Sequence, residues 1–241
     1  MRAGRFKASL NCLSLLACLA FAGTAKAAEI TSAVYSEPTA RYAHGVLGDA
    51  IEYGALELTM SDGTRYTLTL AQSQVFEDIA PRLADVDLDG SAEVITVESN
   101  LSRGARLSIY DETGLVAATP YIGQIHRWLA PVGAADLDGD GSVEIAYIDR
   151  PHLAKTLRIW RFENGFLTEI ATATGLTNHR IGWDFIAGGI RDCGQGPEMI
   201  TASADWADVV STSFTGNGTL ESDKISSYES PKSLNTALIC P

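Results

Sequence analysis

The sequence predicts an all-β fold, a small β-propeller of four to five blades with calcium-binding hairpin loops. Three observations predict it. An acidic loop recurs at an offset of 51 residues. Short segments with two-residue alternation and Asn-Gly or Asp-Gly turns follow each loop. No segment after residue 27 shows a convincing helical period. Four-stranded units recurring every 40–50 residues or so are the sequence signature of propeller blades. A two-sheet sandwich or an open β-solenoid shares the strand pattern and stays open as an alternative.

Residues 1–27 read as a signal peptide. Arg2, Arg5 and Lys7 precede an apolar stretch from Leu10 to Gly23, and Ala25-Lys26-Ala27 supplies the small-x-small cleavage pattern. A retained membrane anchor and acylation of Cys18, in the loose lipobox Leu15–Cys18, are the competing readings. The rest, residues 28–241, reads as one domain exported to the periplasm or the medium. No other stretch is long and apolar enough to span a bilayer. Cys193 and Cys240 are the two cysteines left after cleavage, and an even count in an exported chain predicts a disulfide between them.

The repeat begins with a hairpin that has no acidic loop. Leu56, Leu58 and Met60 alternate, Ser61-Asp62-Gly63 turns, and Tyr66, Leu68 and Leu70 alternate again. The first acidic loop follows as Asp85-Val-Asp87-Leu-Asp89-Gly90-Ser91-Ala92-Glu93. The second is Asp136-Leu-Asp138-Gly-Asp140-Gly141-Ser142-Val143-Glu144. Leu107-Ser-Ile109-Tyr110 and Leu157-Arg-Ile159-Trp160 carry the match downstream, so the whole unit repeats. Strands in the second unit are expected near 131–135, 143–149, 156–162 and 166–171. A third copy at 190–200 keeps Asp192 and Glu198 but has lost the other acids. Calcium is not expected there, and Cys193 suggests a covalent staple in its place.

Three carboxylates at alternate positions on a tightly turning backbone point at one centre. They repel one another unless a hard cation sits between them, and calcium takes six to eight such oxygens. Gly90 and Gly141 mark the sharp bend. An EF-hand would place Glu at the twelfth position. Thr96 and Tyr147 stand there, and the closing acid comes at the ninth instead. The expected ligands are Asp85, Asp87, Asp89 and Glu93, with the Ser91 carbonyl, and Asp136, Asp138, Asp140 and Glu144, with the Ser142 carbonyl. Solvated acidic turns without an ion are the bland alternative.

These loops resemble the FG-GAP/VCBS repeat family, the blade unit of integrin α-chain-like propellers, over roughly residues 75–220. The resemblance implies calcium and the blade, and it implies no single function. Glu93 and Glu144 depart from the family in replacing the usual Asp at the ninth position, which lengthens the reach and keeps the charge.

The charge excludes some partners. The chain carries 18 basic and 30 acidic side chains, a net of −12. Removing residues 1–27 leaves 14 basic against 30 acidic, a net of −16. Such a surface repels nucleic acid and anionic membranes. No familiar catalytic signature is present. His44, His126 and His179 recur at a similar phase, and on a propeller they would gather on one face as a possible ligand site. The bland alternative is packing between blades. The functional expectation is a non-catalytic protein with Ca²⁺ as cofactor and a protein or glycan partner. A secreted hydrolase or lyase using the histidine face is the runner-up.

Overall fold

The computed structural model describes Met1 and residues 28–240. The expected signal segment and Cys18 lie outside the described residues. Those residues form three antiparallel sheets and one short helix.

The chain opens with β1 (Ile30–Thr39), β2 (Glu52–Met60) and β3 (Arg65–Thr69). β2 lies between the other two, and the expected β2–β3 hairpin closes through Gly63 at φ 86°. Next come β4 (Gln74–Phe76), β5 (Arg82–Ala84), β6 (Glu93–Asn100), β7 (Gly104–Asp111) and β8 (Gly114–Ala118). β5 to β8 make a four-stranded meander. β4 pairs with the far half of the β6 edge that β5 occupies, and it also bridges to β2. The first strand of this unit is therefore split in two, and its outer half joins the N-terminal strands to the meander.

The second unit is β9 (Leu129–Ala135), β10 (Val143–Asp149), β11 (Thr156–Glu163) and β12 (Phe166–Thr174), a meander at the expected positions. Its first strand is continuous, with a register shift between Ala146 and Tyr147 of β10. The third unit consists of β13 (Leu176–Thr177), β14 (Gly189–Asp192), β15 (Pro197–Ser203), β16 (Asp208–Thr215) and β17 (Thr219–Ser227). β13 and β14 repeat the split seen in β4 and β5.

The units stack face to face. β9 lies against β14 and β15, while β12 touches β8 and β17. The approach of β9 to β14 is close: a Cβ on Gly133 would stand 2.8 Å from the end of the Ile190 side chain, which would have to shift. β10 is buried along its whole length because both of its faces are covered. Ile145 and Tyr147 join Ile95, Leu107 and Ile109 in the core between the first and second units. Ala146 and Ile148 join Met199, Val210 and Phe214 between the second and third. Each fully buried Leu or Ile here contributes about 1.5–3 kcal/mol. A smaller core of Leu56, Leu58, Phe76, Val94 and Tyr110 fastens the N-terminal strands to the first unit.

One element departs from the all-strand expectation. α1 (Pro231–Ala237) follows the third unit and buries Leu234 against Ala187, Ile200 and Val209. Two turns with a single buried apolar residue give no readable helical period. Its start follows helix logic, with Ser230 before Pro231 in the first turn.

Three carboxyls, Glu52, Glu77 and Asp78, are buried near the split of the first unit, and Arg82 pairs with Asp78 at 2.7 Å. Glu77 is fully buried, and burial pushes its carboxyl up although His44 and Ser99 bond to it. Glu52 is 2% exposed and is pushed up to about 9 by burial and by the nearby charges of Glu77, Asp49 and Asp78.

Candidate metal centres and a histidine-lined pocket

Each acidic loop joins the first strand of a unit to its second. Loop one runs 85–93 between β5 and β6, and loop two runs 136–144 between β9 and β10. The two share a scaffold. The closing glutamate folds back to accept the N–H of the loop's second residue, Val86 onto Glu93 and Leu137 onto Glu144, both at 2.8 Å. The first aspartate accepts the N–H of the bend glycine, Gly90 onto Asp85 and Gly141 onto Asp136, both at 3.0 Å. Gly90 and Gly141 have φ of 90° and 89°, so glycine is there for the backbone it permits.

This scaffold brings carboxylates together. Oxygens of Asp85, Asp87 and Glu93 lie within 4.8 Å of one another, and so do those of Asp136, Asp138 and Glu144. Both sets can hold a metal ion. Asp89 and Asp140 fall outside these sets and accept the N–H groups of Ser91 and Ser142 at 2.7 and 2.9 Å.

The loops differ in what offsets their charge. In loop two, Arg161 of β11 pairs with Asp138, Asp140 and Glu144 at 2.8, 2.9 and 2.6 Å. Oδ1 of Asp136 accepts the N–H groups of Gly139 and Asp140. Loop one has neither device. The residue at the place of Arg161, one step beyond the Val94–Tyr110 pair, is Asp111. Oδ1 of Asp85 is buried and has no hydrogen-bond partner among the described residues. Burial pushes Glu93 up to about 7, and the charges of Asp87, Asp85 and Asp89 add to the shift. A buried carboxylate oxygen with no donor, among crowded acids, is the chemistry a hard cation satisfies. Loop one therefore fits calcium. Loop two has the same oxygens with a guanidinium already among them.

The third loop, between β14 and β15, uses other means. Arg191 pairs with Glu198 at 2.7 Å, Asp192 accepts the N–H groups of Gly194 and Gly196, and a disulfide joins Cys193 to Cys240.

The histidines gather at the opposite end of the units. In each meander the acidic loop joins strands one and two, so the turn between strands two and three and the link between units fall at the other end. His126 lies in the link before β9, His152 in the β10–β11 turn and His179 just after β13, in the split between β13 and β14. The rings of His44 and His126 stack at 4.9 Å. His179 is buried behind them, bonded to His152 at 3.1 Å and to the Trp183 carbonyl at 3.0 Å. His152, which the sequence phase did not single out, completes the group. Its pKa is lowered to about 4, first by burial and then by His179. Trp128 is buried beside this group and donates its indole N–H to the Glu77 carbonyl at 2.7 Å.

No curated protein matches the chain. Residues 85–147, from the first acid of loop one to the strand that follows loop two, match the family model of the FG-GAP-like repeat, and this segment belongs to that repeat family.

Proposed function

We propose that the chain is an exported, calcium-stabilised β-propeller of four to five blades that binds a protein or glycan partner and catalyses no reaction. The observation that carries this reading is loop one, where the Asp85 oxygen, unpartnered among the described residues, stands beside Asp87 and Glu93 with no basic side chain of the described residues paired to them. Asp85, Asp87 and Glu93, with Asp89 and the Ser91 carbonyl, would hold the ion. Its role is to relieve the repulsion among the loop's acids. The second loop's set, Asp136, Asp138, Asp140, Glu144 and the Ser142 carbonyl, shares its acids with Arg161. Three stacked antiparallel meanders, in sheets of eight, four and five strands with the N-terminal strands in the first, and an FG-GAP-like repeat support the propeller. The disulfide supports export, because such bonds persist in oxidising compartments. Among the described residues no helix is long and apolar enough to cross a membrane.

The test is thermal unfolding of the chain from residue 28 in calcium and in chelator. The midpoint is expected to fall in chelator, and the difference to vanish in Asp85→Asn. Equal midpoints for the unaltered protein would refute the calcium role. Retention of envelope proteins or glycans on the immobilised protein tests the partner.

The runner-up is a secreted hydrolase or lyase on the histidine face. The stacking of His44 on His126 and the bond from His44 to Glu77 at 2.5 Å favour it. Hydrolysis of a glycoside or ester panel, lost in His44→Ala, would replace the first reading.

A further inference from the structure

The histidine end contains a pocket of about 260 Å³, lined by His44, His126, Arg127, Arg150, Val46 and Ile181 among others. No carboxylate lines it, although the chain carries 30 acids to 18 bases. The nearest acids are already engaged behind the wall. Glu77 is fully buried against His44, and Asp149 is held by Arg150 at 2.8 and 2.9 Å. Arg127 differs from both. Its guanidinium bonds only to the His126 carbonyl, at 2.9 Å, and makes no ion pair among the described residues. A half-buried arginine without a carboxylate, in a chain with acid to spare, is a free anion-binding fork.

The backbone marks the same place. His126 and Arg150 adopt φ of 56° and 47°, in the left-handed region that costs a non-glycine residue free energy. Such strain collects where side chains are aimed for a purpose. His126 is held in it by its own N–H, which donates to the buried Tyr42 hydroxyl at 2.8 Å. The outcome is a flat platform of two stacked imidazoles beside Arg127. The rim is apolar and open, with Leu153 and Ile181 at 64% and 70% exposure.

We propose that this pocket binds a small organic carboxylate, its acid group on Arg127 and its apolar body between the His44–His126 platform and the Val46–Ile181 wall. The apolar wall and ring platform favour a carboxylate with a planar or aliphatic body over an inorganic oxyanion, which would leave those surfaces without a partner. The size limits the ligand, since drug-sized sites start at about 300 Å³. The site is remote from the acidic loops, so it stands independently of the calcium reading.

Titration calorimetry on the chain from residue 28, with benzoate, hexanoate and sulfate as probes, tests this in calcium and again in chelator. Saturable one-site binding of benzoate or hexanoate is expected, with sulfate at least tenfold weaker. Arg127→Gln should weaken the carboxylate tenfold or more. His126→Asn keeps a residue that tolerates the left-handed region and removes half of the platform, so it should weaken benzoate while preserving the melting midpoint. No saturable binding of either carboxylate in calcium would overturn the proposal. So would unchanged affinity in Arg127→Gln, or sulfate binding as tightly as benzoate. Binding that survives chelation would support it even if the calcium shift itself is absent.

Discussion

Loop one and loop two have the same spacing of acids, the same bend glycine and the same glutamate folded back onto the loop. They differ within the loop, where Asp136 Oδ1 accepts two N–H groups and Asp85 Oδ1 accepts none among the described residues, and at one position across the hairpin. Arg161 faces Glu144 and takes three of its loop's carboxylates, while Asp111 occupies the corresponding place beside Glu93 and adds a further negative charge. A motif defined by its ligands is thus an incomplete description of a cation site. Under the proposed function, the neighbouring strand decides whether the loop takes an ion from solution or brings its own. The third loop is a further variation, with one acid on Arg191 and the turn pinned by a disulfide.

The contrast can be broken most sharply at Arg161. Arg161→Met strands Asp138 and the buried Glu144, and in chelator it should cost about 3–5 kcal/mol in urea unfolding. Calcium should restore much of this, because the variant makes loop two resemble loop one. An equal loss with and without calcium would show that Arg161 only packs. The double change Cys193→Ser with Cys240→Ser should cost about 2–4 kcal/mol under non-reducing conditions, with no dependence on calcium. A calcium-dependent loss would place an ion in the third loop.

In the unaltered protein, calcium at one hundred times its dissociation constant should add about 2.7 kcal/mol. Asp85→Asn should abolish that gain, because the Asn carbonyl keeps the bond from Gly90 while the charge is lost. If Asp138→Asn abolished it and Asp85→Asn did not, the assignment of the loops would be reversed. The smallest effect is expected from Asp111→Asn. Removing one like charge across the hairpin should raise stability in chelator by about 0.2–1 kcal/mol and shrink the calcium gain. An unchanged calcium gain would mean that Asp111 does not act on loop one.

Much of this was legible in the sequence because the repeat exposes it. The strands of the second unit follow from alternation and turns, both acidic loops from the repeat, and the cysteine pair from the even count after residue 27. Arg161 carries no motif, yet the repeat shows it: alignment sets Asp111 against Arg161, and a difference between copies is as informative as a match. His152 is not legible from the repeat because it lies in the β10–β11 turn, outside the phase shared by His44, His126 and His179. The splits between β4 and β5 and between β13 and β14 leave strands of two to four residues, too short for alternation to register. Convergence of the histidines is a property of the stacked units, which no local pattern encodes.

The buried Glu52 has a consequence of another kind. With its carboxyl pushed up to about 9, the native protein holds a proton at neutral pH that the unfolded chain, titrating near 4.5, has given away. Folding at pH 7 therefore takes up a proton. The sign follows: this group's contribution is fully present below about 4.5 and is lost as pH rises toward 9. Unfolding midpoints measured from pH 5 to pH 9 should fall along that range, and Glu52→Gln should flatten the slope. A protein rich in exposed acid thus becomes sturdier in mildly acidic surroundings, and the residue responsible is an acid kept out of water.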